Sequence, residues 1–291
     1  MSEGVVYDLG YRPHEGDRLG RAGALRSLYR DGLRRVLGLR RRARNKFLPW
    51  GLLTIAVLPA VAFIGLAVFT RDLGMQQVEF FSHADYFNLT GTIALLFVAF
   101  AAGELIGPDR IHGVLQVYAS RPLTPGDYLF GRGTALATVV FGFMEIPHLV
   151  LFLGRAWVSG EGFGSYVAEH AGVLWQTALA ALVYLLAFAP FAFLFAAYGK
   201  RPALAAGTFI GTMVSLSLAT QALVVHAGVA PFGLFALQQH PGVVKDWIMG
   251  TGDGQWVPQR AGYDPWVSLA VIVATAVAAG YLVARRYRRP A

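Results

Sequence analysis

An all-α integral membrane protein with six spanning helices is the fold class this sequence predicts, and three observations carry the prediction. Of 291 residues, 55% are hydrophobic and only 14% charged, where a soluble domain carries roughly 25%. The apolar residues are gathered into six blocks, each near the roughly 20 residues that a bilayer-crossing helix needs. The segments between the blocks carry Lys and Arg very unequally, as membrane orientation requires. There is no cysteine, so disulfides, iron–sulfur clusters and thiol catalysis are excluded.

The predicted spans are 48–69, 86–106, 129–153, 172–198, 202–227 and 266–284. A cytoplasmic basic segment, 1–47, precedes the spanning domain 48–284, and a basic cytoplasmic tail, 285–291, follows it. The basic stretch ahead of the first block is too long for a signal-peptide n-region, so the first span is expected to act as an uncleaved anchor. Of the 25 Lys and Arg, 21 fall on the side that includes both termini. Four (Arg71, Arg155, Lys245 and Arg260) fall on the other side, with eight acids. The bias predicts cytoplasmic termini and outward-facing loops at 70–85, 154–171 and 228–265. Trp157, Trp247, Trp256 and Trp266 are expected at the outer interface and Trp50 at the inner one.

Within the first segment, Leu25, Leu28, Tyr29, Leu33, Val36 and Leu37 recur at helical spacing, with Arg26, Arg30, Arg34 and Arg35 mostly on the other side. This predicts a basic amphipathic helix lying on an anionic membrane face. Topology and lipid charge already account for the +8 net charge, so nucleic acid is not expected as a partner.

The cytoplasmic loop 107–128 is the most informative stretch. Its sequence predicts a short helix over 111–120, ended by Arg121-Pro122, with an apolar side made of Val114, Leu115, Val117 and Tyr118. Thr124-Pro125-Gly126-Asp127 then returns the chain to the membrane. The Asp109-Arg110-x-x-Gly113-x-Leu115 start, the Ser120-Arg121-Pro122-Leu123 step and the Asp127-Tyr128-Leu129-x-Gly131-Arg132 re-entry resemble the segment between the second and third spans of type-2 ABC transporter permeases. The resemblance extends to the amphipathic helix, the six spans and the large outer loop before the last one. The N-terminal segment is longer and richer in Arg than that family requires.

Membership would imply a subunit of an ATP-driven exporter in a bacterial cytoplasmic membrane. It would imply a second permease half, homo- or heterodimeric, and two separate ATP-binding subunits that carry ATP and Mg. Arg110, His112, Val114, Leu115, Val117, Tyr118 and Arg121 would form the coupling helix pressed into the ATPase. No Gly-x-x-x-x-Gly-Lys-Ser/Thr phosphate loop is present, so no cofactor is expected on this chain and it is not expected to be an enzyme.

Two features inside the spans are candidates for the substrate path. In the fifth span, Gly207, Thr208, Gly211, Thr212 and Ser215 share one side, a Gly-x-x-x-Gly stripe with hydroxyls. Such a stripe packs helices closely, either inside the subunit or against a second permease half; Ser217, Thr220 and Gln221 point toward a polar cavity. In the third span, Glu145 is the one deep acid, with His148 three residues on as its natural partner. Glu145 is either a proton-bearing group bonded to backbone freed by Pro147, or a substrate contact. An alternative reading is a membrane-embedded enzyme using Glu145 and His148 as acid and base. Seven scattered His and no Cys make no metal site. In the outer loop 228–265, the apolar pieces 231–237 and 243–249 are too short to span. Split by His240-Pro241-Gly242, they are expected to dip into the outer leaflet or to cap the cavity; the family resemblance implies re-entrant helices at this position.

Overall fold

The computed structural model describes residues 20–72, 82–114, 123–160, 162–252 and 254–288. Among them the chain is helical throughout, with no strand. Six helices are long and apolar enough to cross a membrane, the architecture of a multi-pass membrane protein. Hydrocarbon offers the backbone no hydrogen-bond partner, so each span satisfies its own N–H and C=O groups as a helix.

Helix α1 covers Gly20–Val36 and α2 Arg44–Asp72. The next three are α3 (His83–Ile111), α4 (Pro125–Val158) and α5 (Phe163–Tyr198). Helix α6 (Pro202–Gln221) runs into a π-helical turn, Ala222–His226. A 3-10 turn (Ala230–Phe235) leads to the short helices α7 (His240–Met249) and α8 (Val257–Arg260), and α9 (Pro265–Arg288) ends the fold.

Local sequence sets several of these starts. Ser82 and Thr124 cap α3 and α4, each closing a capping box with the Asp three residues on. Pro125 and Pro202 open α4 and α6, where a missing N–H costs nothing. Helix α5 has 36 residues, roughly 54 Å of rise, and so overshoots the roughly 30 Å hydrocarbon layer. The polar parts of the fold are built on these overhanging ends.

Helix α3 is the centre. Of its apolar window 72% is buried inside the protein, against 11% for α2. Helix α2 packs on α4 and α3, α6 packs on α3 and α5, and α9 packs on α5 and α7. Phe97 of α3 stacks on Phe143 of α4 at 4.1 Å between centroids.

Two segments differ from their sequence expectation. The apolar stripe of α1 faces protein: Leu28 and Val36 are buried, and Tyr29, Leu33 and Leu37 pack on the same core. Glycines permit the approach, since a Cβ on Gly32 would lie 2.7 Å from the Cβ of Ala135, and one on Gly131 2.8 Å from a Leu28 methyl. The outer segment differs as well. His240-Pro241-Gly242 does not split two pieces but forms the first turn of α7, whose first seven residues are all buried.

A charge cluster ties α1 to the bundle. Asp109 at the end of α3 accepts from Arg132 of α4 at 2.7 Å, from Arg35 of α1 at 2.7 Å and from the Tyr128 hydroxyl at 3.0 Å. Arg132 and Arg35 both also reach Asp31, each at 2.9 Å. Asp31 is only partly covered. Burial pushes its carboxyl up, but Arg35 and then Arg132 outweigh this and hold it below the usual carboxylate range. Arg132 and Asp109 are 0% and 2% exposed. Removing one member of such a pair strands the other charge. Asp109→Ala should therefore cost about 3–5 kcal/mol in reversible unfolding in mixed micelles, whereas the double change Asp109→Leu with Arg132→Met should recover a large part of that loss.

Candidate functional site

Polar chemistry concentrates at both ends of the bundle, with one buried group between them. At the charge-cluster end, the loop joining α3 to α4 is held at both roots. Asp109 and Arg132 close one contact across it. Asp127, besides capping α4 through Thr124, takes a two-pronged contact from Arg21 of α1 at 3.0 and 2.6 Å. Arg110 donates to the carbonyls of Ala196 and Ala197 in the last turn of α5, where a cation meets the negative end of the helix. Tyr128 stacks on Tyr287 of α9 at 5.6 Å. Of the residues expected to form a coupling helix, Arg110 is therefore occupied inside the subunit. His112 is exposed just past the end of α3, and Val114 is half-buried. Leu115, Val117, Tyr118 and Arg121 lie outside the described residues.

Glu145 and His148 do not pair. Glu145 Oε2 accepts from the Thr177 hydroxyl of α5 at 3.3 Å, and its Oε1 is buried without a partner. His148 turns to α3, where its Nδ1 lies 3.3 Å from Nδ1 of His83 and its ring stacks on Phe87 at 3.8 Å. Residues three apart point about 60° from each other around a helix. Because α4 packs on both α3 and α5, that angle sends the two side chains to different neighbours. An acid–base pair aimed at one reacting atom is thus not assembled.

The small-residue stripe of α6 also resolves. Gly207, Thr208, Gly211 and Ser215 are exposed and Thr212 half-buried, and a Cβ on either glycine would meet nothing within 4 Å. The stripe does not serve packing inside the subunit. It stands open on the outside of the bundle.

At the end opposite the charge cluster lies a cavity of about 280 Å³. It is lined by Asn88, Gly91 and Thr92 of α3, Tyr184 and Phe188 of α5, Ser217 and Gln221 of α6, and Gln238, Gln239, Gln255 and Trp256 from the segment before α9. Ser217 and Gln221 were legible as cavity residues. Thr220 is instead buried and bonded to the Leu216 carbonyl of its own helix at 2.7 Å. The other lining residues escaped the sequence reading. A faint signal did exist, since the chain has two Asn and nine Gln, and five of these eleven line this cavity. A shallow apolar hollow of about 240 Å³ on α2, lined by Leu53, Thr54, Val57, Leu58 and Val61, lacks such groups and suits a lipid chain.

The cavity wall is stiff. Lys245 is fully buried; its Nζ donates to Asn88 Oδ1 and the Ala84 carbonyl, each at 3.0 Å, and pairs with Asp246. Asp246 in turn accepts from Trp256 Nε1, which turns that indole inward rather than into an aromatic belt. Gln239 donates to Ser217 at 3.0 Å and accepts from the Val257 N–H at 2.8 Å, stitching the cap to α6. Among the described residues no group of three potential ligands for a metal occurs. Against known proteins, no family model and no curated sequence matches the chain.

His240 fastens the cap to α9. Its Nε2–H donates to the Leu234 carbonyl at 3.1 Å and its Nδ1 shares a hydrogen bond with the Ser268 hydroxyl at 2.9 Å. Burial lowers its pKa from the ordinary value, against the smaller upward pull of the Leu234 carbonyl. The opened state then binds the proton more readily, so stability of the cap is full above the ordinary pKa and falls as pH drops below about 6.5, by at most about 1.4 kcal/mol per pH unit. Proteolysis across 250–256 should accelerate as pH falls through that range, and His240→Gln should flatten the acid dependence while leaving Lys245 and Asp246 in place.

Proposed function

We propose that the chain is the membrane-spanning permease subunit of a type-2 ABC exporter. Its termini face the cytoplasm of a bacterium, and it works with a second permease half and two ATP-binding subunits. The observation that carries this is the anchoring of the α3–α4 loop. Asp109 and Arg132, at its two roots, share one buried cluster with Arg35 and Asp31 of α1. A force on the loop therefore reaches α1, α3 and α4 together instead of being absorbed at a hinge. That is the mechanical property a coupling element needs, and it sits in the segment whose sequence resembles the family's coupling loop.

Two further features support the reading. The unpacked Gly207–Gly211 face offers the close contact that a second permease half would take. The 21-to-4 division of basic residues favours the charge-cluster end as the cytoplasmic one, with the amide cavity then at the outer end of the path. ATP and Mg would be held by the partner, whose closure would tilt the linked helices as a rigid body and open a route between the two halves. The stretch from the 3-10 turn through α8 would then be the outer gate. An intramembrane enzyme is disfavoured by the separate partners of Glu145 and His148.

Co-purification tests the coupling. Val117→Glu or Tyr118→Glu would bury an unpaired charge in the ATPase contact, and recovery of the ATP-binding subunit on tagged permease should fall by tenfold or more (roughly the cost of one such charge) with insertion unchanged. Undiminished recovery would refute the docking. Orientation is testable on its own: a cysteine introduced at Ser2 should resist a membrane-impermeant thiol reagent in intact cells and react after lysis.

A further inference from the structure

We infer that the cavity opposite the charge cluster is a binding site for an uncharged, hydroxyl-rich ligand of sugar-ring size, a neutral sugar or the end of a neutral glycan; this rests on the permease reading for its meaning as cargo. Its chemistry is unusual for this chain. Five of eleven carboxamides gather there, and a carboxamide both donates and accepts, as a hydroxyl does. No charged residue lines the cavity. The charges just behind it, Lys245 and Asp246, are spent on each other, on Asn88 and on Trp256. An ionised ligand would lose its hydration there and gain no counter-ion.

Bonding capacity is left over. Among the described residues the Gln221 and Gln255 side chains make no hydrogen bond, whereas Gln239 spends its amide nitrogen on Ser217 and its oxygen on the Val257 N–H. A carboxamide not held by the protein can meet a ligand hydroxyl both as donor and as acceptor. Three aromatic rings, Trp256, Tyr184 and Phe188, complete the lining. Trp256 is fixed by its bond to Asp246, and Tyr184 by Phe87 at 5.9 Å between centroids; their apolar faces suit the C–H faces of a sugar ring. The wall breaks regular helix immediately after Gln221, where the π turn begins, a feature frequent at functional sites. At about 280 Å³ the volume lies just below the usual range for small-molecule sites, roughly 300–1,000 Å³, which fits one ring and leaves a longer chain protruding.

Saturation-transfer NMR on the full chain in lipid nanodiscs, free of sugar-based detergent and without any ATP-binding partner, tests this. The probes are glucose, galactose, mannose and N-acetylglucosamine, their 6-phosphates, and a blocked trialanine peptide. At least one neutral sugar should saturate, with its phosphate binding at least tenfold more weakly. Gln221→Leu and Gln255→Ala, both at the cavity rim, should each weaken binding by about tenfold while the protein stays monodisperse. The inference is overturned if no neutral sugar saturates, if a phosphate binds as well, if the peptide saturates instead, or if both variants bind like the parent. Because no ATPase is present, loss of the coupling reading would leave a positive result standing, and a negative result would leave the coupling reading untouched.

Discussion

The pair formed by Asp109 and Arg132 is the constraint on which the rest of the bundle depends. Both side chains are removed from water, and a lone charge there would be intolerable, so each fixes the position of the other. Asp109 has capacity for more than one donor, and it draws in Arg35 and Tyr128 as well. In this way one carboxylate sets the spacing of α3 and α4, the seat of α1 and the approach of α9 through the Tyr128–Tyr287 stack. The glycines at positions 32 and 131 make the approach of α1 sterically possible. The ion pairs make it specific.

The opposite end solves a similar problem with a different chemistry. Lys245 and Asp246 are adjacent in sequence and both buried. Their charges are absorbed by each other, by Asn88 and a carbonyl of α3, and by the Trp256 indole. This fastens a segment without a spanning helix onto the tops of α3 and α5, and it leaves uncharged amides to line the space beneath. His240, bonded to Leu234 and Ser268, and Val244, a member of the main apolar core, add to the hold on this cap.

Helix α3 joins the two ends. It carries Asn88, Gly91 and Thr92 at the cavity and Asp109 at the charge cluster. With 29 residues it is roughly 43 Å long, and its packing on six neighbouring helices leaves it little freedom to bend. On the permease reading, a displacement at the cytoplasmic loop would reach the outer cavity as a tilt of this rod, with no chain of small side-chain rearrangements required. The open faces of α2 and α6 flank it, where a second copy would add the missing walls of a path.

The sequence by itself determined the six helices and their approximate limits, because hydrocarbon forces every backbone group to bond within its own segment and so leaves a block of apolar residues one structure to adopt. It also determined the α1 helix and the presence of a polar site near Ser217 and Gln221, since both follow from local periodicity. What only the tertiary structure decided was partnership. Whether the stripe of α1 faced lipid or protein depended on one glycine of its own, Gly32, and one of α4, Gly131. Whether Glu145 met His148 depended on where α3 and α5 stood around α4, and Thr177 and His83 took the two side chains instead. The five amides of the cavity come from α3, α6 and the capping segment, spread over 168 positions from Asn88 to Gln255. No local pattern joins them, because their common property is a place in space that exists only once the helices are packed.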